Sequence, residues 1–189
     1  GSKMAQSAYE YPDITPSEIP MWMGIYREMN INRVARGEQR VNVHFHGAPG
    51  CGKTVAVTET AKAWAEADGL TFHDADNGQL DGDWETTFGF VNFRAALMDS
   101  SDVKGYGYLD EISGKTVFFP PELLPTHATH GRYGVLFIDD IADGQGLTVR
   151  ALNSLIEGGR VGNYVLPDGW IIVAASNQRE WSTGAGKLG

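Results

Sequence analysis

The residues with the clearest chemical potential lie at 47–54 and read GAPGCGKT. Glycine lets the backbone adopt torsions at which successive N–H groups converge on an anion, and a lysine and a hydroxyl follow the last glycine directly. The spacing matches G-x-x-x-x-G-K-[S/T] at every fixed position, a pattern in which the lysine contacts the β- and γ-phosphates of a nucleotide and the hydroxyl contacts Mg²⁺. We therefore predict a site for a nucleoside triphosphate and Mg²⁺. Its predicted phosphate-binding residues are Gly47, Ala48, Pro49, Gly50, Cys51, Gly52, Lys53, Thr54 and Val55.

The segments around this loop predict a strand before it and a helix after it, which is the order that such a loop requires. Residues 41–46 are strand-like, and residues 55–67 have helix-forming composition, with Gly69 placed to end the helix. A helix that begins at the loop directs the positive end of its dipole at bound phosphates. The expected fold class is α/β.

A second group of candidate residues follows a near-continuous apolar run at 134–138, which is typical of a parallel strand covered on both faces. Asp139 and Asp140 come directly after this run. In open α/β sheets ligands bind at the carboxyl ends of the strands. We predict that Asp139 holds Mg²⁺ through water and that Asp140 orients or deprotonates the attacking water. The alternative is that these acids only form a turn.

A third strand is predicted at 170–175 and ends at Ser176 and Asn177. Asn177 can cap a turn, or it can hold the attacking water against the γ-phosphate. A helix over 148–157 and a hairpin over 161–166 are predicted before this strand. Elsewhere we predict a helix over 17–36, a strand over 88–93 and a short strand over 115–119.

Two further segments have residues that suggest metal binding. Residues 74–85 carry acids at the first, third and twelfth positions of a calcium loop, but Gly78 stands where a ligand is needed and Gln79 where the turn needs glycine. We interpret 70–85 as an inserted, solvated surface loop. His127 and His130 lack the spacing of helical metal ligands, and we interpret them as loop residues.

The composition limits the class of protein. The 189 residues fit one domain, predicted at 17–189 after a tail at 1–16 that opens with a tag-like Gly-Ser. The net charge of −9 argues against nucleic acid as a partner, and one cysteine cannot form an internal disulfide. Because no apolar stretch approaches the ~20 residues that span a bilayer and no signal peptide is evident, we expect a cytoplasmic protein without a membrane segment.

These features resemble those of the AAA+ ATPases, with a Walker A loop at 47–54, a Walker B strand at 135–140 and a sensor-1 residue at Asn177. The segments DVKG at 102–105, FPPELLP at 119–125, GVLFIDD at 134–140 and RVGNYVLPDGW at 160–170 are similar to the MoxR-like branch of bacteria and phages. The resemblance covers about 41–180. It implies a three-layer αβα core of P-loop NTPase type with a mostly parallel sheet.

The resemblance also implies function. Lys53, Asp140 and Asn177 would be the catalytic residues, Thr54 and Asp139 the magnesium ligands, and ATP the nucleotide. Relatives of this kind act as homo-oligomeric rings in which a neighbour supplies an arginine finger, and they remodel a client protein.

Two departures from the family pattern qualify this expectation. Asp140 stands where the family has glutamate, and its shorter side chain predicts slower hydrolysis. The arginine finger, a fifth strand and the C-terminal helical lid would follow Gly189, so we expect this chain to be the nucleotide-binding core only, mostly monomeric and a poor ATPase alone. The alternatives are a nucleotide-binding switch or scaffold with little turnover, and a DNA-associated ATPase of the helicase-loader type. The client protein and the preference for ATP over GTP stay open.

Overall fold

A five-stranded parallel sheet forms the centre of the computed structural model, which describes residues 14–47, 52–94, 106–110, 115–119, 124–139 and 153–177. Three short 3-10 turns lie at Pro16–Glu18, Ala75–Asn77 and Trp84–Thr86. In chain order the helices and strands are α1 (Ile19–Ala35), β1 (Val43–Gly47), α2 (Lys53–Ala67), β2 (Thr71–Asp74), β3 (Thr87–Arg94), β4 (Tyr106–Asp110), β5 (Lys115–Phe119), α3 (His127–His130), β6 (Tyr133–Asp139), α4 (153–158), β7 (Arg160–Val161), β8 (Tyr164–Val165) and β9 (Trp170–Asn177).

The strand order in the sheet is β1-β9-β6-β3-β2, and every neighbouring pair is parallel. Two antiparallel pairs, β4 with β5 and β7 with β8, stand apart from it. Because all five strands run in the same direction, their carboxyl ends lie at one edge of the sheet. The strands β1, β3, β6 and β9 therefore all end at this edge.

Both faces of the sheet are covered by apolar side chains from flanking segments. The face under α1 and α2 buries Ile19, Met23, Val43, Phe45, Val57, Ala61, Phe88, Phe90, Val135, Phe137 and Val173. The face under α4 and the β7–β8 hairpin buries Val91, Leu124, Leu136, Ile138, Leu155, Tyr164, Leu166, Trp170 and Ile172. This arrangement confirms the predicted α/β class with a parallel sheet between two layers.

Several predicted elements are confirmed with small shifts at their ends. The N-terminal helix ends at Ala35, and Gly37 follows with a φ of 72°. The strand predicted at 88–93 extends to 87–94, and 115–119 is a strand as predicted. The helix predicted at 148–157 is seen at 153–158, while 148–152 lie outside the described residues. None of the helices in the described ranges is long and apolar enough to cross a membrane.

The interpretation of 70–85 as a surface loop was wrong, because Thr71–Asp74 forms the edge strand β2. The strand pairs in parallel with β3, and its Phe72 ring lies 6.1 Å from that of Phe90. This distant partner, rather than a local apolar pattern, stabilises the short strand. The Asp74 and Asp83 carboxylates accept from the backbone N–H groups of Asp76 and Glu85, so each caps a 3-10 turn.

His127 and His130 lie on the one-turn helix α3 and not in a loop as predicted. The His127 Nε2 atom is 2.7 Å from the Asp168 carbonyl oxygen, and its ring stacks on Trp84. The His130 Nδ1 atom is 2.6 Å from the Thr129 hydroxyl, and its ring meets Trp170 edge-on. Both histidines thus have packing roles.

A row of two glycines and one tryptophan crosses the sheet at the start of β6. Gly89 lies opposite Gly134, and Gly134 lies opposite Trp170. A Cβ at Gly134 would come within 2.5 Å of the Trp170 ring, and a Cβ at Gly89 within 2.7 Å of it. The buried indole donates to the Gly131 carbonyl at 3.0 Å. The glycines therefore create the space that this indole occupies.

We expect Gly134→Ala to lower the free energy of unfolding by about 1–3 kcal/mol, because a buried methyl group must displace both the Trp170 ring and the Gly89 carbonyl oxygen. Urea unfolding followed by tryptophan fluorescence measures this. The matched control is Gly24→Ala in α1, where an added Cβ meets no atom within 4 Å. That change should raise the free energy of unfolding by about 0.5–1 kcal/mol, because alanine has a higher helix propensity than glycine. Equal effects of the two substitutions would contradict the packing role of Gly134.

Candidate functional site

The start of α2 has the local structure that a phosphate-binding helix needs. Gly52 precedes the helix with a φ of 91°, a left-handed conformation that a side chain would strain. Its carbonyl accepts the first helical hydrogen bond, from the Ala56 N–H at 3.0 Å. Lys53, the first residue of α2, is only 7% exposed. An α-helix leaves its first N–H groups without intrahelical acceptors, so this end of α2 attracts an anion.

The residue after the lysine meets the carboxyl end of β6. The Thr54 hydroxyl donates to the Asp139 carboxylate across 3.3 Å, although 85 residues separate the two in sequence. Both groups offer oxygen atoms, the donors that Mg²⁺ prefers. The residues present therefore fit the predicted magnesium site. Thr54 and Asp139 would hold the ion, which would neutralise charge on neighbouring phosphate oxygens.

The sheet register places the backbone of Asn177 opposite the first residue of the predicted phosphate loop. Gly47, the last residue of β1, lies opposite Asn177, the last residue of β9. On its other side β9 pairs with β6, where Ala174 lies opposite Ile138. The carboxyl ends of β1, β9 and β6 are thus adjacent, and they bring together the three predicted positions Gly47, Asn177 and Asp139.

Other predicted site residues have a different status. The side chain of Val55 is 65% exposed, so only its backbone can serve a phosphate site. Ala48, Pro49, Gly50 and Cys51 lie outside the described residues, as does Asp140. Their predicted roles rest on the sequence.

Two neighbours of this edge were missed by the sequence reasoning. Arg94 ends β3 directly opposite Asp139, and its guanidinium lies 3.9 Å from the Asp76 carboxylate. In the sequence, Arg94 could have been noticed as a cation one residue beyond the predicted strand at 88–93. The His44 Nε2 atom lies 3.2 Å from the hydroxyl of the buried Ser176, which links β1 to β9 one residue before Asn177. No sequence pattern indicated this contact.

Comparisons with known proteins do not assign this chain to a family. No protein-family model matches the chain, and a search of curated proteins gave no match. Among solved structures, NtrX from Brucella abortus is similar with a TM-score of 0.40 and 17% identity, over 76% of this chain and 28% of that one. A mutant of RuvB from Thermotoga maritima has a TM-score of 0.42 and 17% identity, over 86% of this chain and 39% of that one. This chain therefore spans well under half the length of both structures.

Proposed function

We propose that this chain is the nucleotide-binding core of a MoxR-like AAA+ ATPase, which binds and hydrolyses Mg²⁺-ATP and couples hydrolysis to remodelling of a partner protein. The observation that carries the proposal is the 3.3 Å contact between the Thr54 hydroxyl and the Asp139 carboxylate. Two motifs with independent sequence signals meet there, at the edge of a parallel sheet where ligands bind. An accidental glycine-rich turn would not require this meeting.

The proposed roles follow from charge and position. The ammonium of Lys53 contacts the β- and γ-phosphates, and the backbone of 47–52 surrounds them with N–H groups. Asp140 takes the proton of the attacking water, and Asn177 holds that water in line with the γ-phosphate. Most of the rate enhancement in such reactions comes from positioning and electrostatic stabilisation.

The proposed assembly is a homo-oligomeric ring in which a neighbouring subunit completes the site with an arginine. Such an arginine is worth on the order of a thousand-fold or more in turnover. The isolated chain is therefore proposed to bind nucleotide but to hydrolyse it slowly.

A second candidate is a nucleotide-binding switch that hardly turns ATP over, which the shorter acid at Asp140 favours. Phosphate release under saturating Mg²⁺-ATP separates the two functions. Phosphate release that is faster than in the Lys53→Ala variant supports the ATPase function. Tight binding with release equal to that variant supports the switch.

Mg²⁺ should raise the ATP affinity of the unchanged chain. In Thr54→Ala we expect the factor of this increase to fall at least about tenfold, because the ion loses an oxygen ligand. The measurement is ATP affinity as a function of Mg²⁺ concentration. Thr54→Ser keeps the hydroxyl and is the matched control, with an expected change of less than about threefold. If alanine and serine behave alike, the Thr54 hydroxyl has no part in magnesium binding.

A further inference from the structure

A cavity of about 460 Å³ lies at the edge of the sheet opposite the candidate nucleotide site. Tyr133 and Trp170, the first residues of β6 and β9, line it together with the second half of α1. The strand β6 has 7 residues, so at about 3.3 Å per residue the two edges are roughly 20 Å apart. The volume lies in the range of roughly 300–1,000 Å³ that is usual for small-molecule sites.

One wall of the cavity is apolar and open to solvent. Ile31 and Val34 of α1 line it, although Ile31 is 62% exposed. Ile171 of β9 contributes a buried apolar side chain. Covering such surface is favourable because apolar area leaves water. A ligand with an apolar body would therefore gain from this wall.

The charged groups that line the cavity are cationic. Among the described residues that line it, Arg27 and Arg40 are charged and none is acidic, in a chain whose net charge is −9. The Arg27 guanidinium donates to Asp68 at 3.0 Å and stacks on Trp64, which leaves further N–H donors on the group.

Arg40 donates to the carbonyl oxygens of Leu166 and Pro167 at 3.0 and 3.1 Å. Its acidic partner Asp168 is 84% exposed, and water weakens such a pair. Burial lowers the pKa of Arg40 below its usual value, and the Asp168 carboxylate opposes that shift. The guanidinium is thus a partly desolvated cation, which strengthens its attraction for a nearby anion.

Two uncharged polar side chains, Asn30 and Tyr133, also line the cavity. The Asn30 amide donates to the Val41 carbonyl at 2.6 Å and accepts from the Val41 N–H at 2.7 Å, so the backbone fixes its orientation. The Tyr133 hydroxyl has no hydrogen bond to any other described residue. It can donate to an acceptor inside the cavity.

We propose that this cavity binds a small organic anion that combines an apolar body with one acidic group, such as an aryl carboxylate or sulfonate. The body packs against Ile31, Val34 and Ile171. The acidic group faces the guanidinium groups of Arg27 and Arg40. Because the cavity lies at the opposite edge from the phosphate loop, such a ligand and a nucleotide can bind together.

The probe is 1-anilinonaphthalene-8-sulfonate, whose fluorescence rises in apolar surroundings, titrated into the folded full chain. We expect saturation at one equivalent. Ile31→Asp should weaken binding at least tenfold, because it places an anion on the apolar wall. The matched control is Ile25→Asp, which changes an exposed isoleucine of the same helix that does not line the cavity. Ile25→Asp should change the affinity for the probe by less than twofold.

A second pair of measurements tests the charge. Arg27→Gln should weaken binding of the sulfonate about tenfold but change binding of the uncharged analogue N-phenyl-1-naphthylamine less than twofold. Arg27→Lys, which keeps the charge, should retain most of the sulfonate affinity. Thermal unfolding checks each variant, because Arg27 also pairs with Asp68.

Three results would overturn the proposal. One is the absence of saturable probe binding to the folded chain. Another is an equal loss of affinity in Ile31→Asp and Ile25→Asp, which would mean non-specific adsorption to α1. The third is displacement of the probe by Mg²⁺-ATP with no effect of Ile31→Asp, which would place the probe at the nucleotide site.

Discussion

Lys53→Ala is expected to lower the affinity for Mg²⁺-ATP by about a hundredfold or more while the chain keeps its fold. A charge-assisted hydrogen bond contributes about 1.5–3 kcal/mol, and each 1.4 kcal/mol is about tenfold in affinity, so two lost phosphate contacts give this range. Alanine has good helix propensity at the first position of α2, so the free energy of unfolding should change by less than about 1 kcal/mol. Titration with a fluorescent ATP analogue and urea unfolding measure the two quantities.

The matched control for this prediction is Lys62→Ala. Lys62 lies on the same helix, and its ammonium forms an exposed ion pair with Glu59 at 3.6 Å. Exposed pairs of this kind contribute little, so both affinity and stability should stay close to those of the unchanged chain. If Lys53→Ala and Lys62→Ala bind nucleotide equally well, the phosphate site is not at the start of α2.

Asp140→Asn is expected to keep Mg²⁺-ATP binding within about threefold and to reduce hydrolysis by about 10²–10⁴-fold. Asparagine has nearly the same shape but cannot accept the proton of the attacking water, and general-base catalysis has this magnitude. Because the neighbouring Asp139 contacts Thr54, the magnesium side of the site should be untouched. Single-turnover phosphate release with protein in excess over ATP measures the chemical step.

The outcome for Asp140 separates two interpretations of the acidic pair. A wild-type rate in Asp140→Asn would mean that Asp140 is only a turn residue. Asp139→Asn provides the contrast, since it should weaken the magnesium dependence of binding before it changes the chemical step.

The helix after the predicted phosphate loop could be predicted from the sequence because glycines mark both of its ends. Gly52 and Gly69 have φ values of 91° and 69°, so each stands where other residues would be strained. The meeting of Thr54 with Asp139 was also predictable, because carboxyl ends of parallel strands share one edge. The apolar run of β6 predicted a parallel strand covered on both faces, and the resemblance implied the parallel sheet around it.

Features that depend on strand register could not be predicted. Arg94 lies opposite Asp139 only because β3 pairs with β6 in one register, and a shift of one residue would turn its side chain to the other face. The edge strand β2 was missed for a related reason, since its stability comes from β3 and not from its own four residues. The cavity beside α1 forms from three separate segments, and no local pattern describes such a space.

The most direct test of the proposed nucleotide site is calorimetric titration of the unmodified chain with ATP, with and without Mg²⁺. We predict saturable binding of one nucleotide per chain, tighter with Mg²⁺ than with a chelator and lost in Lys53→Ala. Absence of saturable binding to a chain that still unfolds cooperatively in urea would contradict it.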